Sequence, residues 1–104
     1  MKTIRAIHID DRDNCATLTE AAESGDMVVF RTYGEEQIVT ACGHIPIWHK
    51  MALIPVKKGG SIYKYGAVIG VATEDIEAGG HIHVFNICSP GYTLEGSEAD
   101  TRCI

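Results

Sequence analysis

Two segments of the chain repeat one pattern built around a pair of glycines. VKKGGSIY (residues 56–63) and IEAGGHIH (residues 76–83) both read as an apolar residue, two variable residues, Gly-Gly, one variable residue, Ile, and an aromatic or imidazole side chain. Gly-Gly permits positive φ in a tight turn, and each turn is followed by a short β-prone run. Two copies are too few for a solenoid. The pattern therefore predicts a compact domain of short strands and glycine turns.

The rest of the chain supports a mostly-β fold. We predict strands at KTIRAIHI, MALIPV, SIYKY, AVIGVA and HIHVFNI, and a hairpin of MVVFRTY and EQIVTA joined at YGEE. One short helix is predicted in CATLTEAAES, where Cys15, Leu18 and Ala22 would form one stripe. Asp13 or Asn14 would cap this helix at its start.

Length and charge restrict the class of protein. The chain has 104 residues, which suits one domain; we assign it to residues 1–90, followed by a polar tail at 91–104. The formal net charge is −5, which disfavours a nucleic-acid partner. No apolar run approaches the roughly 20 residues that span a bilayer. The four cysteines form no Cys-x-x-Cys pair and the start lacks an apolar leader, so we expect reduced thiols, a cytoplasmic location and no membrane contact.

The segment GGHIHVFN alternates in the manner of a strand. His81, His83 and Phe85 would share one face, and Ile82 and Val84 the other. Because the aliphatic pair is the natural buried face, the two imidazoles and the ring would lie side by side on the outer surface. Three interpretations remain open for this row: a solvated strand face, half of a metal or substrate site, or part of a protein interface.

Several motifs in the second half resemble one family. They are Trp48-His49-Lys50-Met51-Ala52-Leu53, Lys64-Tyr65-Gly66 with Gly70, and His81-Ile82-His83-Val84-Phe85-Asn86, with a weaker match at Asp13-Asn14. This series is similar to the SAF domain of the altronate and galactarate dehydratase family, a domain also found in the small subunit of sulfolactate sulfo-lyase. Two positions depart from the family pattern: Phe85 stands where the family has His, and Trp48 where it has Gly.

The resemblance implies a β-clip fold and a role in a lyase. The chain would be the small subunit of a sugar-acid dehydratase, inactive alone, with its active site completed by a large catalytic subunit. The reaction would be metal-assisted β-elimination of water from a small hydroxy acid, and the family is associated with a divalent metal, commonly iron. Two alternatives are a sulfolactate sulfo-lyase small subunit and a non-catalytic module that binds a ligand or a protein, including a second copy of itself.

The same resemblance suggests roles for individual residues. Histidine serves as a metal ligand, acid or base because its pKa lies near neutrality. The metal ligands would be His81 and His83. The catalytic residues would be His83, His49 and Lys50. The substrate would be bound by Asn14, Lys50 and Asn86.

Overall fold

Strands make up the regular structure of this protein. The computed structural model describes residues 2–83 and 85–88. Its strands are β1 (Thr3–Ile7), β2 (Cys15–Leu18), β3 (Met27–Thr32), β4 (Glu35–Thr40), β5 (Lys50–Ala52), β6 (Ser61–Lys64), β7 (Ala67–Ala72), β8 (His81–Ile82) and β9 (Ile87–Cys88). The described residues contain no helix. The prediction of a mostly-β, β-clip-like fold is confirmed, and the single short helix is wrong. The predicted tail at 91–104 lies outside the described residues.

The strands form two sheets. Six strands pair in the order β4-β3-β1-β2-β5-β8, and three pair in the order β6-β7-β9. Within these sheets β1 and β3 are parallel, and the other paired strands are antiparallel. The larger sheet places β5 and the short edge strand β8 side by side. This pairing brings the motif that contains Lys50 next to the motif that contains His81.

The segment predicted as a helix is a central strand instead. β2 pairs with β1 through Ala6 and Leu18, and with β5 through Cys15 and Ala52. Its side chains are buried on both faces of the sheet: Leu18 belongs to one apolar cluster and Cys15 to another. A strand that is buried on both sides loses the alternation that identifies strands in sequence. Partners on β1 and β5 therefore override the weak helical stripe.

Asp13 and Asn14 fix the smaller sheet to the larger one rather than capping a helix. The buried Asp13 carboxylate accepts the backbone N–H groups of Tyr65 (2.9 Å) and Gly66 (2.8 Å). The Asn14 side chain accepts the N–H of Tyr63 (2.8 Å) and donates to the carbonyl of Ser61 (2.9 Å). The Asp-Asn motif therefore holds the β6–β7 hairpin, which carries the Lys64-Tyr65-Gly66 motif.

Two hairpins turn at the same dipeptide. The predicted hairpin of β3 and β4 is confirmed, and its turn is Tyr33-Gly34, with φ of 50° and 82°. β6 and β7 turn at Tyr65-Gly66, with φ of 58° and 76°. Positive φ at both central residues is typical of the turn that matches the twist of two-residue hairpins. The backbone conformation of this turn therefore explains part of the Lys64-Tyr65-Gly66 motif.

The repeated glycine pattern extends further than its two copies in sequence. Bridges join Val56 to Ile76 and Ala22 to Ile45, and a turn with a positive-φ residue follows each of these four positions. The positive-φ residues are Gly25, Trp48, Gly59 and Gly79. Trp48, with φ of 69°, therefore occupies the place where the other three turns have glycine.

Two apolar clusters form the core. The first contains Ile4, Ala16, Leu18, Ala22, Val28, Phe30, Ala41, Ile45, Met51 and Leu53. The second contains Cys15, Ala52, Val56, Ile62, Ala72, Ile76, Ile82 and Ile87. Because Met51 and Ala52 are adjacent on β5 yet belong to different clusters, this strand separates the two halves of the core.

The described residues bear on two further predictions, those of membrane contact and of reduced cysteines. That part contains no helix suited to crossing a membrane. Cys15 and Cys42 are free thiols, as predicted. Cys88 is disulfide-bonded, so the prediction of reduced thiols throughout is wrong at this position.

Candidate functional site

The segment GGHIHVFN is a short strand followed by a tight turn. β8 covers only His81–Ile82, and the backbone N–H of Asn86 donates to the carbonyl of His83 (2.9 Å) before β9 begins. The prediction of one continuous strand over HIHVFNI is therefore wrong, because β8 and β9 are separate short strands. Ile82 is fully buried, as predicted, and Phe85 is 62% exposed. His81 and His83 are half-buried, and the predicted inward position of Val84 lies outside the described residues.

Three imidazoles meet beside this turn, and we call His49, His81 and His83 the imidazole cluster. Nδ1 of His49 and Nε2 of His81 share a hydrogen bond of 2.9 Å. The rings of His49 and His83 are stacked, with 4.4 Å between centroids and 6° between planes. The centroids of His81 and His83 are 5.3 Å apart. The structure therefore brings together all three histidines that the resemblance selected.

Strand pairing explains why these histidines meet. His49 directly precedes β5, and His81 opens β8, which pairs with β5 through Met51 and His81. Residues two apart on a strand share a face, so His49 lies on the same side as Met51 and therefore beside His81. The ring of Phe85 completes the group, with its centroid 5.3 Å from His81 and 6.0 Å from His83.

The surroundings of His49 and His81 disfavour protonation of these two rings. Partial burial, followed by the neighbouring His49 and His83, lowers the pKa of His81 from 6.5 to about 4. Partial burial, with smaller effects of His83 and Lys50, also lowers the pKa of His49. Both rings are therefore neutral near pH 7. A neutral imidazole has one nitrogen that accepts a proton or binds a metal and one that donates.

Lys50 lies close to the cluster but on the other face of β5. It pairs with Ile82, whereas the next residue, Met51, pairs with His81. Because paired residues point to the same side of a sheet, Lys50 lies on the side of Ile82 and of the Cys15 thiol. Its charge still contributes to the lowered pKa values of His49 and His81. Lys50 is thus within electrostatic reach of the cluster without being part of it.

The side-chain amides of Asn14 and Asn86, the two asparagines predicted to bind substrate, are hydrogen-bonded to backbone groups. Asn86 is buried, accepts the N–H of His83 (2.9 Å) and donates to the carbonyl of His81 (2.7 Å). Asn14 makes its two hydrogen bonds to β6. Their predicted contact with a substrate stays a prediction.

The residues described here do not by themselves make a complete metal site. Among them, no group of three or more His, Cys, Asp and Glu side chains is arranged to hold a metal ion. The two closest ring nitrogens, of His49 and His81, face each other in a hydrogen bond. A metal bound at this cluster would need ligands from outside the described residues.

A separate cavity of about 380 Å³ is lined in part by the Asp-Asn motif, and it was not predicted from the sequence. Its lining includes His8, Asp13, Asn14, Phe30 and Thr32, and none of the imidazole cluster. The two ring nitrogens of His8 lie 2.8 Å from the backbone carbonyls of Arg31 and Asp13. The short separation of His8 and Asp13 in the sequence was the one signal that could have predicted their contact. Because backbone groups occupy the ring nitrogens, His8 serves to join β3 to the Asp-Asn segment.

The fold and the imidazole cluster together define a small β domain of the SAF type. The family model described as altronate/galactarate dehydratase SAF domain matches residues 4–90. The chain belongs to this family. The resemblance predicted from the motifs is therefore confirmed.

Curated relatives agree with this assignment. Altronate dehydratase of Escherichia coli K12 is 38% identical over 81 residues, which cover 77% of this chain and 15% of that protein. The (2R)-sulfolactate sulfo-lyase subunit alpha of Paracoccus pantotrophus is 46% identical over 48 residues, covering 46% of this chain and 72% of that subunit. Altronate dehydratase of Bacillus subtilis 168 is 55% identical over 38 residues, covering 36% of this chain and 8% of that protein. The aligned part of the chain thus spans only a small fraction of either dehydratase.

Proposed function

We propose that this chain is the SAF part of a hydroxy-acid lyase and that it contributes the imidazole cluster to an active site completed by a larger catalytic part. The observation that carries the proposal is the meeting of His49, His81 and His83 at one half-buried place. The family assignment and the lyase names of the relatives support the reaction class. The chain aligns with 15% of the Escherichia coli dehydratase, which supports a larger partner for the remaining functions.

Elimination of water from a hydroxy acid sets clear chemical demands. A base removes the proton from the carbon next to the carboxylate, the carbon–oxygen bond of the neighbouring carbon breaks, and an acid protonates the departing hydroxyl so that it leaves as water. A neutral imidazole suits the first step, and the imidazolium that it becomes on taking the proton is the acid that the second step needs. In the proposed mechanism His83 or His49 accepts the carbon-bound proton. The hydrogen bond between His49 and His81 gives that proton a route across the cluster towards the leaving group.

Lys50 and a divalent metal would support this chemistry. The Lys50 ammonium adds positive potential near a site that binds an anionic acid. A divalent metal such as iron, when bound, would stabilise the negative charge that develops on the substrate carboxylate. Where His81 and His83 coordinate this metal, His49 is the ring that remains to accept the carbon-bound proton, and the larger part supplies the ligands that the described residues lack.

Reconstitution with the larger part tests the proposal. The chain is purified together with a candidate large lyase subunit from the same organism, and altronate, galactarate and sulfolactate are assayed with added ferrous ion. We expect turnover of one sugar acid that disappears when this chain is omitted. Equal turnover by the large part alone would contradict the proposal.

A sulfolactate sulfo-lyase is the second candidate. One relative is named as a subunit of such an enzyme, and the alignment covers 72% of that subunit. In this case the leaving group is bisulfite rather than water, while the carbon-bound proton is removed in the same way. Release of sulfite from sulfolactate by the reconstituted complex, without dehydration of altronate, distinguishes this candidate.

A non-catalytic binding module is the third candidate. Phe85 and Trp48 are 62% and 61% exposed and flank the imidazole cluster in sequence. Exposed aromatic side chains of this kind are enriched at protein interfaces. The face would then bind a partner or a second copy of the chain. A dimer that dissociates when Phe85→Ser is introduced, together with a complex that turns over unchanged, would favour this candidate.

A further inference from the structure

We propose that Asn86 is a positioning residue that holds His83 in register with His81 and so assembles the imidazole cluster. Its consequence for turnover rests on the proposed function, but its consequence for the geometry does not. The side chain of Asn86 is 4% exposed, and both ends of its amide are hydrogen-bonded to the backbone of the two histidines.

Three hydrogen bonds close the loop between the histidines and Asn86. The side-chain oxygen of Asn86 accepts the N–H of His83 (2.9 Å), and its side-chain nitrogen donates to the carbonyl of His81 (2.7 Å). Its backbone N–H donates to the carbonyl of His83 (2.9 Å). The first two bonds require an acceptor and a donor on one short side chain. Asparagine provides both, whereas aspartate at neutral pH provides only acceptors.

Strand pairing alone does not place His83. β8 ends at Ile82, and its register with β5 consists of Lys50 with Ile82 and Met51 with His81. His83 lies beyond the last paired residue, yet its ring is stacked on His49 at 4.4 Å. The bonds to Asn86 are therefore the described contacts that fix the backbone of His83 relative to His81.

Asp26 offers a matched control elsewhere in the chain. It is 6% exposed, its carboxylate accepts the N–H of Glu23 (2.9 Å), and its backbone N–H donates to the carbonyl of Glu23 (3.0 Å). This reproduces the three-residue spacing of the bonds between His83 and Asn86. Asp26 belongs to a turn that is remote in sequence from the imidazole cluster. Asp26→Ala therefore removes a similar side-chain hydrogen bond from a turn, without removing a contact to the histidines.

Nuclear magnetic resonance of the full chain tests the positioning role directly. In Asn86→Ala we expect at least 10-fold faster hydrogen exchange at the His83 amide and loss of the ring contacts between His49 and His83. In Asp26→Ala these signals stay as in the wild type. Asn86→Asp keeps the acceptor for the His83 N–H and provides a milder variant if alanine prevents folding; it should retain protection of that amide. Unchanged exchange and ring contacts in Asn86→Ala would overturn the proposal.

Kinetics of the reconstituted complex separate this inference from the proposed function. A displacement of about 1 Å in a catalytic group costs roughly 100-fold in rate. We expect kcat of the Asn86→Ala complex to fall by about that factor with little change in KM, and Asn86→Asp to recover part of it. If the ring contacts are lost while kcat is unchanged, the positioning role holds and the catalytic role of the cluster is overturned.

Discussion

The imidazole of His83 lies parallel to that of His49, with 6° between the ring planes and 4.4 Å between their centroids. His49 precedes β5 and His83 follows β8, so the pairing of these two strands brings the two histidines close together. Partial burial, followed by the neighbouring His83, lowers the pKa of the His49 ring. The pair therefore links the packing of the edge strand to the protonation state of the site.

The stability of the chain should depend on pH through His81. Its pKa is about 4 in the folded chain and 6.5 ordinarily, so between these values the unfolded chain binds a proton that the folded chain does not. The free energy of unfolding should be unaffected by His81 above pH 6.5, fall as the pH drops from 6.5 to about 4, and change no further through this group below that. His49, whose pKa is also lowered, acts in the same direction.

Urea unfolding at about pH 7, 5.5 and 4.5 measures this dependence. His81→Gln should reduce the loss of stability between the first and last conditions. His44→Gln is the control, because His44 is exposed, is bonded to Glu23, and contributes less to the lowered pKa values of His81 and His49 than burial and the neighbouring cluster histidines do. The lowered carboxyl pKa values of Asp10 and Asp26 contribute in a more acidic range. An equal loss in the wild type and in His81→Gln would contradict the prediction.

Gly79 should tolerate no side chain. A Cβ at this position would overlap the backbone carbonyl of Thr40, because the chain passes directly under β4 here. Gly59 has nearly the same φ, 88° against 87°, but nothing lies within 4 Å of its added Cβ. Both alanine variants incur the left-handed strain of about 1 kcal/mol, and Gly79→Ala adds roughly 2 kcal/mol or more of overlap. Thermal or urea unfolding of the two variants checks this, and equal losses would show that the backbone shifts freely at Gly79.

Asp13 should stabilise the junction of the two sheets. Its carboxylate accepts the N–H groups of Tyr65 and Gly66. Asp13→Ala leaves these donors without their acceptor, and we expect a loss of roughly 3 kcal/mol in the free energy of unfolding. Asp75→Ala, which removes an exposed hydrogen bond to the N–H of Lys58 and an exposed ion pair with Lys57, should cost less than about 1 kcal/mol. Similar losses in the two variants would contradict the assigned role of Asp13.

Local signals in the sequence explain which parts of the fold could be predicted. The hairpin at Tyr33-Gly34 has a strong turn signal between two β-prone runs, and it was predicted correctly. The segment from Cys15 to Leu18 was predicted wrongly because its burial depends on β1 and β5, which are distant in sequence. The positive φ of Trp48 could not be predicted from its residue type, since only the equivalent turns show that the position favours glycine.

The candidate site was predictable to a similar degree. Alternation in HIHVF predicted that His81 and His83 would lie together, and the resemblance added His49. Neither showed that β5 and β8 pair with Met51 opposite His81, which sets Lys50 on the other face. The inward turn of Asn86 depends on the tight loop after Ile82, and the strand pattern gave no sign of it.

Turnover of the reconstituted complex with His49→Gln tests most directly whether the imidazole cluster takes part in the reaction. His49 both stacks on His83 and shares the hydrogen bond with His81, so its loss disrupts the cluster at two contacts. We predict a fall in kcat of about 100-fold or more, with His44→Gln at the wild-type rate and both variants bound to the large part. Wild-type turnover in His49→Gln, with the complex intact, would contradict the catalytic role.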